Sequence, residues 1–206
     1  MEQWLNVQAK YYIESPEYNS KERIVKLDAI IKSMESLQSF GSTKERNNIL
    51  GSTYKRLAFC YIYVNFNRVN ECLDKSLTYY NKAIIDKKTD FYALLNLIQL
   101  KIAKKEFDID SVNIVHLNTD YENAVKNYTA LNTDSDDYYD RINKFNFEVT
   151  KFLLEKYTVE NVEKSNEVQN NVDRLMSIFT KIWNDTGAQS HLNGEIEHYK
   201  ILAEFM

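Results

Sequence analysis

Leu50-Gly51-Ser52-Thr53-Tyr54, followed by Ser76, Tyr80 and Ala83, is the stretch that decides the fold. Gly51, Ser52 and Thr53 carry little bulk, so a helix built through them can be approached closely by a second one. Tyr54 and Tyr80 are large enough to fill the space left at the contact. The first segment continues with a helical period through Leu50, Tyr54, Leu57, Tyr61 and Val64. The second keeps the same period through Leu73, Leu77, Tyr80, Ala83 and Ile84. Between them lies only a polar break, Asn65 to Asn70. Two amphipathic helices joined by so short a link pack as antiparallel neighbours.

Working outward, the same period recurs on both sides. Gln3 to Glu14 reads as a helix with Trp4, Val7, Tyr11 and Tyr12 on one face. Ser15-Pro16 reads as an N-cap followed by proline at the first helical position. Lys21 to Phe40 places Ile24, Leu27, Ile30, Ile31, Met34 and Leu37 at three- and four-residue spacing, and Gly41 supplies the stop. Ser42 and Glu45 form the expected capping box of the helix that runs to about Asn65. Asp86 to Asp90 reads as a solvated link, and Phe91 to Lys104 as a buried helix around Leu94, Leu95, Ile98 and Ile102.

Glu106 to Asn118 admits either a short extended piece or an irregular helix start. Asp120 to Leu131 recovers the helical period through Tyr121, Ala124, Val125 and Tyr128. After the acidic link Thr133 to Asp137 comes a long helix to about Tyr157, facing inward through Tyr138, Ile142, Phe145, Val149, Phe152 and Leu153. Thr158 is the expected cap of the next helix, whose inner face is Val162, Val168, Val172, Leu175, Phe179, Ile182 and Trp183. Asp185-Thr186-Gly187 ends it, and Ser190 opens a last helix with Leu192, Ile196, Ile201, Leu202 and Phe205. The sum is an all-α chain of eight or nine helices. It reads as one helical-repeat domain, 1–206, with N-terminal helices over 1–40, a degenerate repeat core over 42–131 and C-terminal helices over 134–206.

Composition agrees. Four glycines and one proline in 206 residues are too few for the turns of a sandwich, barrel or doubly wound sheet, and leave no glycine-rich phosphate loop. The net charge of −4 is well mixed along the chain, without the basic face that nucleic acid requires. No apolar run reaches the roughly 18 residues of a membrane span. The opening Met1-Glu2-Gln3-Trp4 lacks a secretory pattern, so a cytoplasmic protein is expected, with Cys60 and Cys72 reduced.

No catalytic set and no cofactor are expected. His191, Glu195 and His198 could share one face of the last helix, but a di-iron bundle needs two Glu-x-x-His elements and two further carboxylates, and only Glu195-x-x-His198 is present. A polar surface face is the expectation there. Asp134, Asp136, Asp137 and Asp140 lack the mid-loop glycine and terminal glutamate of a calcium loop. Neither a nucleophile elbow nor a P-loop occurs. Cys60 sits within the apolar run Leu57 to Val64, which favours burial over reactivity.

Leu50-Gly51-x-x-Tyr54 and Ser76-x-x-x-Tyr80-x-x-Ala83 resemble the two helices of a tetratricopeptide repeat, lengthened in its connection and with Asn47 where the first helix usually carries tryptophan. The wider run, Glu45-Arg46, Leu50 to Leu57, Ser76, Tyr79-Tyr80, Lys82-Ala83, Asp90-Phe91-Tyr92 and Asn96-Leu97, resembles the TRAFs-binding domain family. That is the tetratricopeptide-like region of the apoptosis signal-regulating kinases and of related bacterial proteins. The resemblance implies a tetratricopeptide-like array of antiparallel helical pairs, an α-solenoid, acting as a non-catalytic scaffold. Its concave surface would take a protein partner, with Tyr54, Lys55, Arg56, Tyr92 and Asn96 as the matching positions, in bacterial stress or defence signalling. Two alternatives stand beside it. One is a structural homo-oligomer paired through apolar faces of terminal helices. The other is a metal-dependent helical bundle centred on His191, Glu195 and His198.

Overall fold

A proline cannot donate a backbone hydrogen bond, and the residue before it is pushed to extended geometry. Ser15 obeys, with φ −67° and ψ 126°, and so closes the first helix; it does not cap the second. The second helix opens later, at Ser20. Its cap is Asn19, which accepts from the Glu22 amide at 3.1 Å while the Glu22 carboxylate accepts from the Asn19 amide at 2.9 Å. At the third helix the cap is Thr43 and not Ser42. Thr43 accepts from the Arg46 amide at 3.1 Å, leaving Ser42 to Asn47 and Glu45 to Gln3 Nε2 at 2.6 Å. Gly41 stands at φ +122°, a conformation that side-chain-bearing residues rarely adopt, just past the end of the second helix.

The computed structural model describes residues 1–85, 90–105, 114–131, 138–158, 165–186 and 196–203. Within them the order is α1 (Glu2–Glu14), α2 (Ser20–Gln38), α3 (Lys44–Tyr61), α4 (Phe66–Ala83), α5 (Phe91–Lys105), α6 (Ile114–Ala130), α7 (Tyr138–Thr158) and α8 (Ser165–Thr186). A last helical segment, α9, covers 196–203. No strand occurs among the described residues. Of the stretch 106–118, residues 114–118 are helical, and 106–113 lie outside the described residues. The acidic link at 133–137, the start expected for the eighth helix, and Ser190, Leu192 and Phe205 lie outside the described residues. So do most of the link at 86–90, but Asp90 itself is buried rather than solvated. It accepts from the Ile85 amide at 2.8 Å and pairs with Lys44.

Consecutive helices pack on each other, α3 and α4 most intimately, and the odd helices form a layer in which α1 meets α3 and α5 meets α7. The α3–α4 contact is as close as Gly51 allows. A Cβ there would lie 3.0 Å from the ring of Tyr80, which is fully buried. Ser76 Oγ donates to the Gly51 carbonyl at 2.7 Å, and Asn47 Nδ2 donates to the Lys82 carbonyl at 3.3 Å, closing the far end of the same pair.

Two apolar cores result, divided by α5. Ala93, Leu97, Leu100 and Ala103 face the core of α1–α4, while Phe91, Leu94, Leu95, Ile98 and Ile102 face that of α6–α8. Helix α1 joins the first core through Leu5, Ala9 and Ile13. Trp4, Val7 and Tyr11 stand on its opposite side, 61%, 61% and 50% exposed. The aromatic stripe of α1 is therefore not its buried face. Smaller side chains fit against α2 and α3, and Arg46 pins the start of the helix through Glu2.

Candidate functional site: a polar seam under the last helix

Lys55 and Arg56 are consecutive on α3, and both are buried, at 4% and 5% exposure. Burying a charge is costly unless it is paired and hydrogen-bonded. Arg56 meets this requirement through α9. Its Nη2 donates to Glu197 Oε2 at 3.2 Å, its Nε to Glu197 Oε1, and its Nη1 to Ser52 Oγ at 3.1 Å. Burial alone would lower the guanidinium's pKa, and the Glu197 carboxylate raises it above its ordinary value. Lys55 Nζ donates to Asn96 Oδ1 at 3.2 Å and also meets His198 Nδ1.

That second contact fixes a tautomer. With Nδ1 accepting from an ammonium, the ring proton sits on Nε2 and donates to Gln99 Oε1 at 2.7 Å. Burial, then the charges of Lys55 and Arg56, hold the pKa of His198 well below its ordinary value, so the imidazole is neutral. From Gln99 the chain of bonds continues into α7. Gln99 Nε2 donates to Thr150 Oγ1 at 2.8 Å, Thr150 Oγ1 to the Asn146 carbonyl at 2.7 Å, and Tyr199 OH to Asn146 Oδ1. Three consecutive residues of α9 thus reach three odd-numbered helices: Glu197 to α3, His198 to α3 and α5, and Tyr199 to α7.

The five positions singled out in the sequence separate. Lys55, Arg56 and Asn96 meet in this seam. Asn96 also ties itself to its own helix by donating to the Tyr92 carbonyl at 2.9 Å. Tyr92, at 44% exposure, stands at the rim with its ring 6.3 Å from that of Tyr80. Tyr54 points elsewhere. It stacks on Tyr79 at 5.6 Å, and both hydroxyls donate to Glu35 Oε1 of α2, at 2.8 and 3.0 Å. Burial, then the Glu35 hydrogen bond, raise both phenols, Tyr79 to about 12.

His198 is buried, so the polar surface face expected for the last helix is not where it sits. Its partners are an ammonium and an amide. His191 and Glu195 lie outside the described residues, and among the described ones no group of three or more histidines, cysteines, aspartates or glutamates is placed to hold a metal. Cys60 and Cys72 are free and buried, each thiol pushed up to about 12 by burial. A cleft of about 420 Å³ between α6 and α7 is open to solvent, lined by Asn118, Tyr121, Glu122, Lys151, Leu154 and Glu155. No described helix is long and apolar enough to cross a membrane.

Sequence reading missed Glu197, His198, Gln99, Asn146 and Thr150 as members of the seam. One signal was present: Asn96 and Gln99, three apart, are amides within an otherwise apolar helix interior, and buried amides need partners.

Residues 1–101, just under half of the chain, match the family model described as Tetratricopeptide Repeats-Sensor. That part of the chain is tetratricopeptide-like. No curated protein and no solved structure matches it. In tetratricopeptide terms, α3 and α4 are the two helices of a repeat, with Gly51 and Tyr80 at their crossing. Asn47, standing where the motif usually carries tryptophan, replaces ring packing with hydrogen bonds to Ser42, Gln38 and Lys82.

Proposed function

We propose that the chain is a non-catalytic scaffold for protein–protein interaction, and that its working surface is the inner layer formed by α3, α5 and α7. One observation carries this reading: three odd helices offer polar side chains to one side, and those side chains already grip a helix, α9. Stacked helical pairs present such curved faces to partners. In this reading Tyr92 meets the partner directly, and Lys55, Arg56 and Asn96 form its polar seat. Tyr54 acts by holding α3 against α2 through Glu35. The resemblance of Glu45 to Leu97 to TRAFs-binding domains, and the sensor type of the matching family, favour a place in a signalling assembly. The two buried thiols favour a reducing, cytoplasmic setting.

Pull-down from the native source tests the reading. Tyr92→Ala, checked for native helicity, is expected to weaken capture of the partner about tenfold, as loss of an aromatic anchor does. A folded Tyr92→Ala and Tyr54→Ala pair that keeps every partner refutes it. A second reading, self-association, is favoured by Trp4, Val7 and Tyr11, which leave an exposed apolar stripe on α1. Light scattering that finds a monomer at high micromolar concentration removes it.

A further inference from the structure

Helix α9 lies on the inner layer as a ligand lies in a groove. Glu197 presents its carboxylate to the fork of Arg56, the geometry by which a guanidinium recognises a carboxylate. His198 bridges Lys55 and Gln99, and one turn on, Ile201 and Leu202 enter the core shared by α1 to α5. Glu197, His198, Ile201 and Leu202 are all buried, so the described part of α9, 196–203, is held by the seat beneath it. Half of that seat is polar. A buried ion pair contributes little net stability but fixes register. An incoming carboxylate could replace Glu197 on Arg56 without leaving an uncompensated buried charge.

We infer that α9 is an internal occupant of the partner groove. The external partner is then an amphipathic helix with a carboxylate, a hydrogen-bond acceptor beside it, and two branched aliphatics four and five residues after the carboxylate. The inference rests on the scaffold reading and adds both the partner's chemistry and its control. A tethered occupant competes at high effective concentration, so the groove answers only to a partner that binds more strongly than α9 does.

The probe is a labelled synthetic peptide with the sequence of residues 190–206, titrated into the full chain by fluorescence anisotropy. The variant Ile201→Ser/Leu202→Ser, which undocks α9, is expected to bind the peptide at least about tenfold more tightly than the unaltered chain. Replacing the peptide's Glu197 by Arg abolishes that binding, and Arg56→Glu added to the double variant restores it for the altered peptide. A folded double variant that binds no better than the unaltered chain overturns the inference. Should that variant fail to fold, hydrogen exchange on the unaltered chain decides. Amides of 199–203 exchanging well ahead of those of α3 support the inference, and exchange at the α3 rate ends it. Dimers of the unaltered chain that the peptide dissolves would make a second copy the occupant and overturn the external partner. If peptide binding fails while Tyr92→Ala still loses its captured partner, only this inference falls; if both fail, so does the scaffold reading.

Discussion

Between α3 and α4 the Tyr54–Tyr79 stack is joined by single-atom contacts at close range: a glycine against a ring, Ser76 Oγ on the Gly51 carbonyl, Asn47 on the Lys82 carbonyl. Between α5, α6 and α7 the contact is made by rings. Phe91 sits 5.3 Å from Tyr128 and 5.6 Å from Phe147, and Tyr128 and Phe147 lie 4.9 Å apart. The first mode fixes the identity of particular residues, because a glycine's absent side chain has no substitute. The second requires only volume and shape, which several apolar residues supply.

The largest break in this contrast is expected at Tyr80, whose side chain is fully buried against Gly51. Tyr80→Ala should cost about 3–5 kcal/mol, in the range of large aromatic truncations. Phe147→Leu, a ring-to-aliphatic change inside the second core, should cost closer to about 1 kcal/mol. Urea unfolding of the two variants measures both. Equal losses would show that the first pair is no more exacting than the ring cluster.

Gly51→Ala comes next. On an exposed helix the change would gain up to about 1 kcal/mol in helix propensity. Here the new methyl meets atoms at the root of the Tyr80 ring, at 3.0 and 3.1 Å, and a fully buried ring has nowhere to swing. Overpacking should win, for a net loss of about 1–2 kcal/mol in thermal or chemical unfolding. A neutral or stabilising result would mean that α3 and α4 can slide apart and that close approach is not what Gly51 secures.

Helix positions were legible because apolar spacing at three and four residues persists through α2, α3, α4, α5 and α7. Caps were less so. Ser15-Pro16 and Ser42-x-x-Glu45 both have the right letters, yet Asn19 and Thr43 perform the capping. Any short polar residue near a helix start satisfies the pattern, and tertiary partners such as Gln3 decide which one is used. The buried face of α1 is not its aromatic one because aromatics are a strong but one-way sign of burial; Leu5, Ala9 and Ile13 are the residues that enter the core. The start of α6 was ambiguous because β-branched Val112, Ile114 and Val115 suit either state, and burial of Leu117 and Ala124 selects the helix. Lys55, Arg56 and Asn96 were named through a resemblance, but their burial was not foreseeable. Its cause, Glu197 and His198, stands more than a hundred residues away, and no local period links the two.

The seam under α9 is where the two modes meet, since Tyr199 packs against both cores. His198 gives a way to sense that junction by pH. The groups facing it are Lys55 and Arg56 from α3 and Gln99 from α5, with Glu197 and Tyr199 as its helix neighbours. Its folded pKa lies below the ordinary value of 6.5, so under acid the unfolded chain takes up a proton that the folded chain resists. Stability from this group is therefore complete above pH 6.5 and is lost as pH falls toward the folded pKa. Stability of the unaltered chain should fall as pH is lowered from 6.5 to 5.5, the interval in which the unfolded imidazole takes up its proton. His198→Gln, which keeps a neutral polar side chain of related reach, should flatten the dependence over that interval. If the unaltered chain and the variant lose stability in parallel, other groups carry the titration, and His198 does not report on the seam that joins the two halves.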